Sequence, residues 1–149
     1  MNPKRILLVE DNAQDEMLTL RSLKKVNLAN DVDVVRDGQQ ALDYLFGEGE
    51  FAGRSGSDLP AVLLLDIGLP RIGGLEVLQR LRNDPRTKLL PIVILTSSDE
   101  EQDRLNSYLG GANSFVRKPV DFAAFAETVA RLGVYWLAVN EPHPNKSLP

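Results

Sequence analysis

Asp66 closes the apolar run Ala61-Val62-Leu63-Leu64-Leu65. A run of this kind reads as a strand buried in a parallel sheet, so the carboxylate is expected at the strand's carboxyl end, where open α/β sheets bind ligands. Three further runs end in reactive groups. Arg5-Ile6-Leu7-Leu8-Val9 leads into Glu10-Asp11, Pro91-Ile92-Val93-Ile94-Leu95 into Thr96-Ser97, and Ser114-Phe115-Val116-Arg117 into Lys118-Pro119. Together the four strand ends deliver three carboxylates, a hydroxyl and an ammonium to one edge.

Carboxylates gathered in one place repel one another, so such a cluster is stable only if it holds a cation or keeps a proton. Magnesium fits best, because it takes oxygen ligands, retains several waters and commonly uses one or two carboxylates with phosphate oxygens. The chain has no cysteine and one histidine, His143 in the tail, which does not suit zinc. With its charge shielded by a metal, Asp66 is the expected nucleophile toward a phosphoryl group, forming an acyl phosphate. Phosphoryl transfer demands mainly positioning and charge neutralisation, and Lys118 and the Thr96 hydroxyl would complete the metal's work on the phosphoryl oxygens. Each residue alone has a plainer explanation: strand-end aspartates cap helices, threonines bond backbone and lysines are usually solvated. Their convergence at strand ends is much harder to explain that way.

The elements that would bring those ends together are written between them. Behind the candidate N-cap Asn12, residues Met17, Leu18, Leu20, Leu23 and Val26 fall at mostly helical spacing, and Asp31-Val32-Asp33-Val34-Val35 alternates like a strand. Asp37-Gly38 precedes Ala41, Leu42, Leu45 and Phe46, which predicts a short helix with an acidic cap and Gly47 past its end. Gly73-Gly74 opens a helix carrying Leu75, Val77, Leu78 and Leu81, stopped by Asn83-Asp84-Pro85. Ser98 and Glu101 have capping-box spacing for a fourth helix closed by Gly110-Gly111, and Asp121 can cap a fifth with Phe122, Phe125, Val129 and Leu132 inward. Five βα repeats imply a five-stranded parallel sheet with helices on both faces, a three-layer α/β sandwich. The long loop from Gly47 to Pro60 reads as a flexible connector at least as readily as a functional segment.

At 149 residues the chain is about one domain and can bury a core without metal or disulfide staples. No apolar run approaches the roughly 18 residues of a membrane helix, and the start of the chain has no signal-like cleavage site, so a cytoplasmic location is expected. The absence of cysteine removes disulfides and thiolate catalysis. A net charge of −4 without a basic arm argues against nucleic acid and favours a protein partner or a small cation.

Over Lys4 to about Leu132 the sequence resembles the receiver domains of bacterial two-component response regulators. The motifs are Val9-Glu10-Asp11-Asn12, Leu65-Asp66-Ile67-Gly68-Leu69-Pro70 followed by Gly73-Gly74, Leu95-Thr96-Ser97, and Val116-Arg117-Lys118-Pro119. The resemblance implies a flavodoxin-like (βα)5 fold, with Asp66 as phosphoacceptor, Glu10 and Asp11 as the acidic pair for magnesium, and the Gly68 backbone carbonyl as a metal ligand. It further implies Thr96 as switch hydroxyl, Phe115 as its aromatic partner, Lys118 as phosphate-binding lysine aimed inward by a cis bond to Pro119, and a sensor histidine kinase as partner. Two positions depart from the family pattern. Glu10 stands where aspartate is commoner, and Gly68 replaces a larger residue, which implies a changed lifetime for the acyl phosphate.

Residues 133–149 form a C-terminal extension too short for an output domain. Val134, Tyr135, Trp136, Leu137 and Val139 make an apolar group that either folds back or covers a partner subunit. Enrichment of Trp and Tyr at interfaces favours a homodimer through Phe122, Tyr135, Trp136 and Leu137. The long loop and this ending also resemble single-domain regulators that work with bacterial phytochrome histidine kinases. The leading expectation is a stand-alone regulator, a switch more than an enzyme, that signals through dimerisation or partner binding. A pseudo-receiver that no longer accepts phosphate and a phosphorelay intermediate are the alternatives. A haloacid-dehalogenase-type phosphatase would want an aspartate where Gly68 stands.

Overall fold

Short runs of leucine and β-branched residues pair as strands because they can bury both faces while the ladder satisfies their backbone groups. The computed structural model describes residues 4–25, 28, 30–53, 58–69, 71–96, 114–118, 121, 123, 124, 126 and 127. Its strands are β1 (Ile6–Val9), β2 (Val32–Val35), β3 (Val62–Asp66), β4 (Ile92–Thr96) and β5 (Ser114–Arg117), and its helices α1 (Ala13–Lys25), α2 (Gly38–Phe46) and α3 (Gly74–Arg82). All strand pairs are parallel, in the order β2-β1-β3-β4-β5. This is the flavodoxin-like strand order. The chain steps outward from β1 to β2 and then back past β1 to β3, so a topological switch point lies between β1 and β3 at their carboxyl ends.

Register decides what meets there. Val9 lies opposite Leu65, Asp66 opposite Leu95, and Thr96 opposite Arg117. Glu10 therefore follows β1 level with Asp66, and Lys118 follows β5 one step beyond Thr96. Side chains alternate between faces. Leu7, Val9, Leu63, Leu65, Ile92 and Ile94 pack with α2 and α3 residues Leu42, Leu45, Val77, Leu78 and Leu81. Ile6, Leu8, Val62, Leu64, Val93, Leu95 and Val116 share the other face with Leu23 of α1. Glu10, Asp66 and Lys118 continue the parity of this second face, and α1 lies over it.

Local signals hold the helices in place. Asp37 Oδ1 accepts the Gln40 N–H at 2.8 Å, and Gly47 closes α2 at φ 66°, a left-handed conformation that glycine takes without a Cβ penalty. Asn12 Oδ1 accepts the Asp15 N–H at 2.9 Å, fixing the first turn of α1. The helix start predicted at Gly73-Gly74 and the stop at Asn83 both agree with α3. Gly74 also allows a close backbone approach, because a Cβ there would fall 2.5 Å from the Asp66 carbonyl oxygen.

Two details go beyond what the sequence pattern told. The apolar spacing in α1 identified the helix but not its inner face: Met17 is 53% exposed, while Thr19 and Ser22 are buried beside Leu23. The Gly47 to Pro60 connector begins as ordered structure, with a 3-10 turn over Gly49–Phe51. Phe51 meets Tyr44 edge to face at 5.2 Å between ring centroids, an aromatic anchor that sequence spacing concealed.

Helical backbone recurs at Ala123, Ala124, Ala126 and Glu127, and the Ala123 N–H donates to Asp121 Oδ1 at 3.4 Å. The proposed fourth helix, the Lys118–Pro119 peptide bond, Phe122, Tyr135, Trp136, Leu137, His143 and the 133–149 extension lie outside the described residues.

Candidate functional site at the carboxyl edge of the sheet

Among the described residues, strand ends and one helix turn gather acidic side chains around one ammonium. Glu10 is fully buried and Asp66 is 4% exposed, whereas Asp11, one residue beyond Glu10, faces solvent. One oxygen from each of Glu10, Asp11 and Asp66 lies within 4.8 Å of the others, a spacing and donor set that can hold a metal ion. Three oxygen donors without sulfur or imidazole suit a hard divalent cation. Lys118 Nζ stands 3.3 Å from Asp66 Oδ1 and 3.4 Å from Glu10 Oε1, with its side chain only 13% exposed.

The charges explain each other's titration. Burial, the Asp66 charge and a hydrogen bond with Asp66 push the Glu10 carboxyl from its usual 4.5 up to about 7, against the opposing pull of Lys118 and the Asn12 N–H. The buried cluster thus keeps a proton near neutral pH, one of the two outcomes expected of crowded carboxylates. For Lys118, burial disfavours the ammonium. The hydrogen bond to Asp15 and the charges of Asp66, Glu10 and Asp15 outweigh it, so the pKa is raised and the ammonium stays charged.

The turn after β3 holds Asp66 from the other side. The Gly68 N–H donates to Asp66 Oδ1 at 3.2 Å, and Gly68 itself is exposed. Among the described residues, a Cβ at this position would meet only Asp66 Oδ1, at 4.0 Å. Further along, Arg71 adopts φ 64° and places Nη1 3.4 Å from Asp37 Oδ2, tying the turn to the N-cap of α2. A non-glycine residue in that region costs about 1 kcal/mol, and strain of this kind gathers at functional loops.

The remaining positions fall nearby with different surroundings. Thr96 is fully buried at the end of β4, and its carbonyl accepts the Lys118 N–H at 2.7 Å, which fixes the lysine's backbone beside β4. Phe115 is half-buried and packs against the α2 and α3 side of the core. One member of the site escaped the sequence reading: Asp15 in α1, whose Oδ2 makes the shortest ion pair of Lys118 at 2.9 Å. Its signal was an acid in the first turn of a helix starting at the reactive edge, which by itself is commonplace.

Comparison with known proteins places this geometry. The response regulator Rcp1 of Synechocystis is 34% identical over 91% of this chain and 90% of its own length, and its Mn(2+)-bound crystal structure superposes with a TM-score of 0.71 over 94% of this chain and 99% of that one. The probable methanogenesis regulatory protein FilR2 of Methanothrix harundinacea is 37% identical over 93% of this chain and 87% of its own. The bacteriophytochrome response regulator RtBRR is 51% identical, with a TM-score of 0.87 over 95% of this chain and 84% of that structure. Residues 6–130 match the response regulator receiver domain, and the chain belongs to that family.

Proposed function

We propose that this protein is a single-domain phosphorylation switch in which Asp66 accepts a phosphoryl group from a sensor histidine kinase. The observation that carries the reading is the buried Asp66 carboxylate, held 3.3 Å from Lys118 and clustered with Glu10 and Asp11. A carboxylate oxygen of Asp66 attacks phosphorus. The phosphorus–nitrogen bond of the kinase's phosphohistidine breaks, its electron pair returns to the imidazole, and an acyl phosphate remains on Asp66. Lys118 neutralises charge on the transferred oxygens, and Thr96 bonds one of them, drawing β4 toward the site with Phe115 following.

Glu10, Asp11, Asp66 and the Gly68 carbonyl would hold Mg2+, which supplies charge neutralisation at the phosphoryl oxygens. The Mn(2+)-bound form of Rcp1 supports a divalent site. Catalysis is confined to the protein's own phosphorylation and dephosphorylation. The likeness to RtBRR supports a phytochrome-type kinase as phosphodonor, and output runs through partner binding or a homodimer using the extension.

The test is the intact mass of wild type and Asp66→Asn after incubation with Mg2+ and acetyl phosphate. One phosphoryl adduct on wild type alone is the expected result. No adduct on either folded protein would replace this reading with a pseudo-receiver.

A further inference from the structure

Lys118 is held by a residue outside the acidic trio. Its Nζ lies 2.9 Å from Asp15 Oδ2, closer than Asp66 Oδ1 at 3.3 Å or Glu10 Oε1 at 3.4 Å. An ammonium has three N–H donors, so one can stay with Asp15 while the others face the buried carboxylates. The Asp15 side chain is 29% exposed, against 0% for Glu10 and 6% for Asp66. It keeps water on one side while reaching a lysine that has little, and it lies on α1, away from the β3 turn that would contact a metal. A lysine stem carries substantial rotamer entropy, and an anchor on its third donor reduces what remains to be lost at the moment of transfer.

We propose that Asp15 is a positioning residue for phosphoryl transfer at Asp66, anchoring Lys118 from the α1 side so that the ammonium meets the incoming phosphoryl group already placed. The inference rests on the reading of Asp66 as phosphoacceptor. Asp15 touches neither the phosphoryl group nor the metal; it acts through Lys118. Its effect on transfer must therefore vanish when the lysine amine is gone.

The experiment follows Asp66 phosphorylation by acetyl phosphate and Mg2+ over time in wild type, Asp15→Ala, Asp15→Glu, Lys118→Ala and the Asp15→Ala/Lys118→Ala double variant. Asp15→Ala should slow transfer by about tenfold or more, toward the roughly hundredfold cost of a misplaced catalytic group. Asp15→Glu should restore part of the rate, and Asp15→Ala should add nothing in the Lys118→Ala background. An unchanged rate in Asp15→Ala, or an equal slowing with and without Lys118, overturns the proposal. A second measurement needs no phosphoryl group: the 15N NMR signal of the Lys118 ammonium should be visible in wild type and lost in Asp15→Ala. Retention of that signal, or its absence from wild type, also overturns the anchor. A wild type that forms no adduct removes the phosphoacceptor reading instead, and the ammonium signal still decides whether Asp15 holds the lysine.

Discussion

Among the described residues, two groups of charged side chains flank this sheet with more acid than base, and one lies open to water while the other is buried. Near the start of β1, Arg5 Nε and Nη2 meet Asp33 Oδ2 and Oδ1 at 2.7 and 2.8 Å, Nη1 reaches Asp31 at 3.3 Å, and the Tyr44 hydroxyl donates to the same Asp33. The bidentate hydrogen bond to Asp33 raises the Arg5 pKa despite the opposing effect of burial. At the carboxyl edge, Glu10, Asp15 and Asp66 share one ammonium, with Asp11 beside them. The first group is a finished structural contact. The second carries surplus negative charge in a buried setting and is completed only by a proton or a further cation.

The sharpest way to break this contrast is to remove the lone cation. Lys118→Ala should cost about 3 kcal/mol of unfolding free energy at pH 8 without divalent metal, because a buried charge loses its partner. Urea denaturation measures it, and Mg2+ should recover part of the loss.

Next is Glu10, whose folded-state pKa lies above its ordinary value. The stability it contributes through its proton is fully present below about pH 4.5 and is lost as pH rises through about 7. That loss amounts to about 3 kcal/mol. Glu10→Gln, which mimics the protonated form, should flatten the profile and be more stable than wild type at pH 8 without metal. Added Mg2+ should raise the wild-type melting temperature more at pH 8 than at pH 5, since protons and metal compete for the same oxygens. A wild-type profile parallel to that of Glu10→Gln would erase the distinction between the two clusters.

Smaller effects sharpen the comparison. Gly68→Asn fills the open space beside Asp66 and should slow acyl-phosphate decay by up to about tenfold, with mass spectrometry following the adduct. An identical decay would show that this opening does not govern water access. Arg5→Ala should cost only about 0.5–1 kcal/mol, since its side chain is 48% exposed, and denaturation in added salt should narrow the difference from wild type.

What could be read from sequence depended on how local the determinant was. The α2 caps at Asp37 and Gly47 and the strand ends at Glu10, Asp66, Thr96 and Lys118 follow from neighbouring residues, and the structure places them as expected. Strand order was not legible from the residues alone, because it depends on where each crossover lands, and only the family resemblance implied it. Nor was Asp15, because its partner lies across the sheet on the chain after β5. Met17 shows the limit of periodicity: apolar spacing locates a helix, but it does not tell that Thr19 and Ser22 are buried while Met17 is exposed. Phe51 shows another limit, since its packing on Tyr44 makes an ordered anchor in a segment whose composition suggested none.

The pairing of Val9 with Leu65 has a consequence for how this protein can change over time. Loops and helices between the strands can gain or lose residues while the sheet absorbs the difference, but within β3 the chain counts in units of one. A single-residue insertion between Val62 and Asp66 would swap the two faces of the strand for every position after it. Asp66 would turn away from Glu10 and Lys118, and leucines would change sides with it. The chemistry at this edge is thus guarded by the same parity that sorts the core, so length can change in the connections but not within the strands that lead to the site.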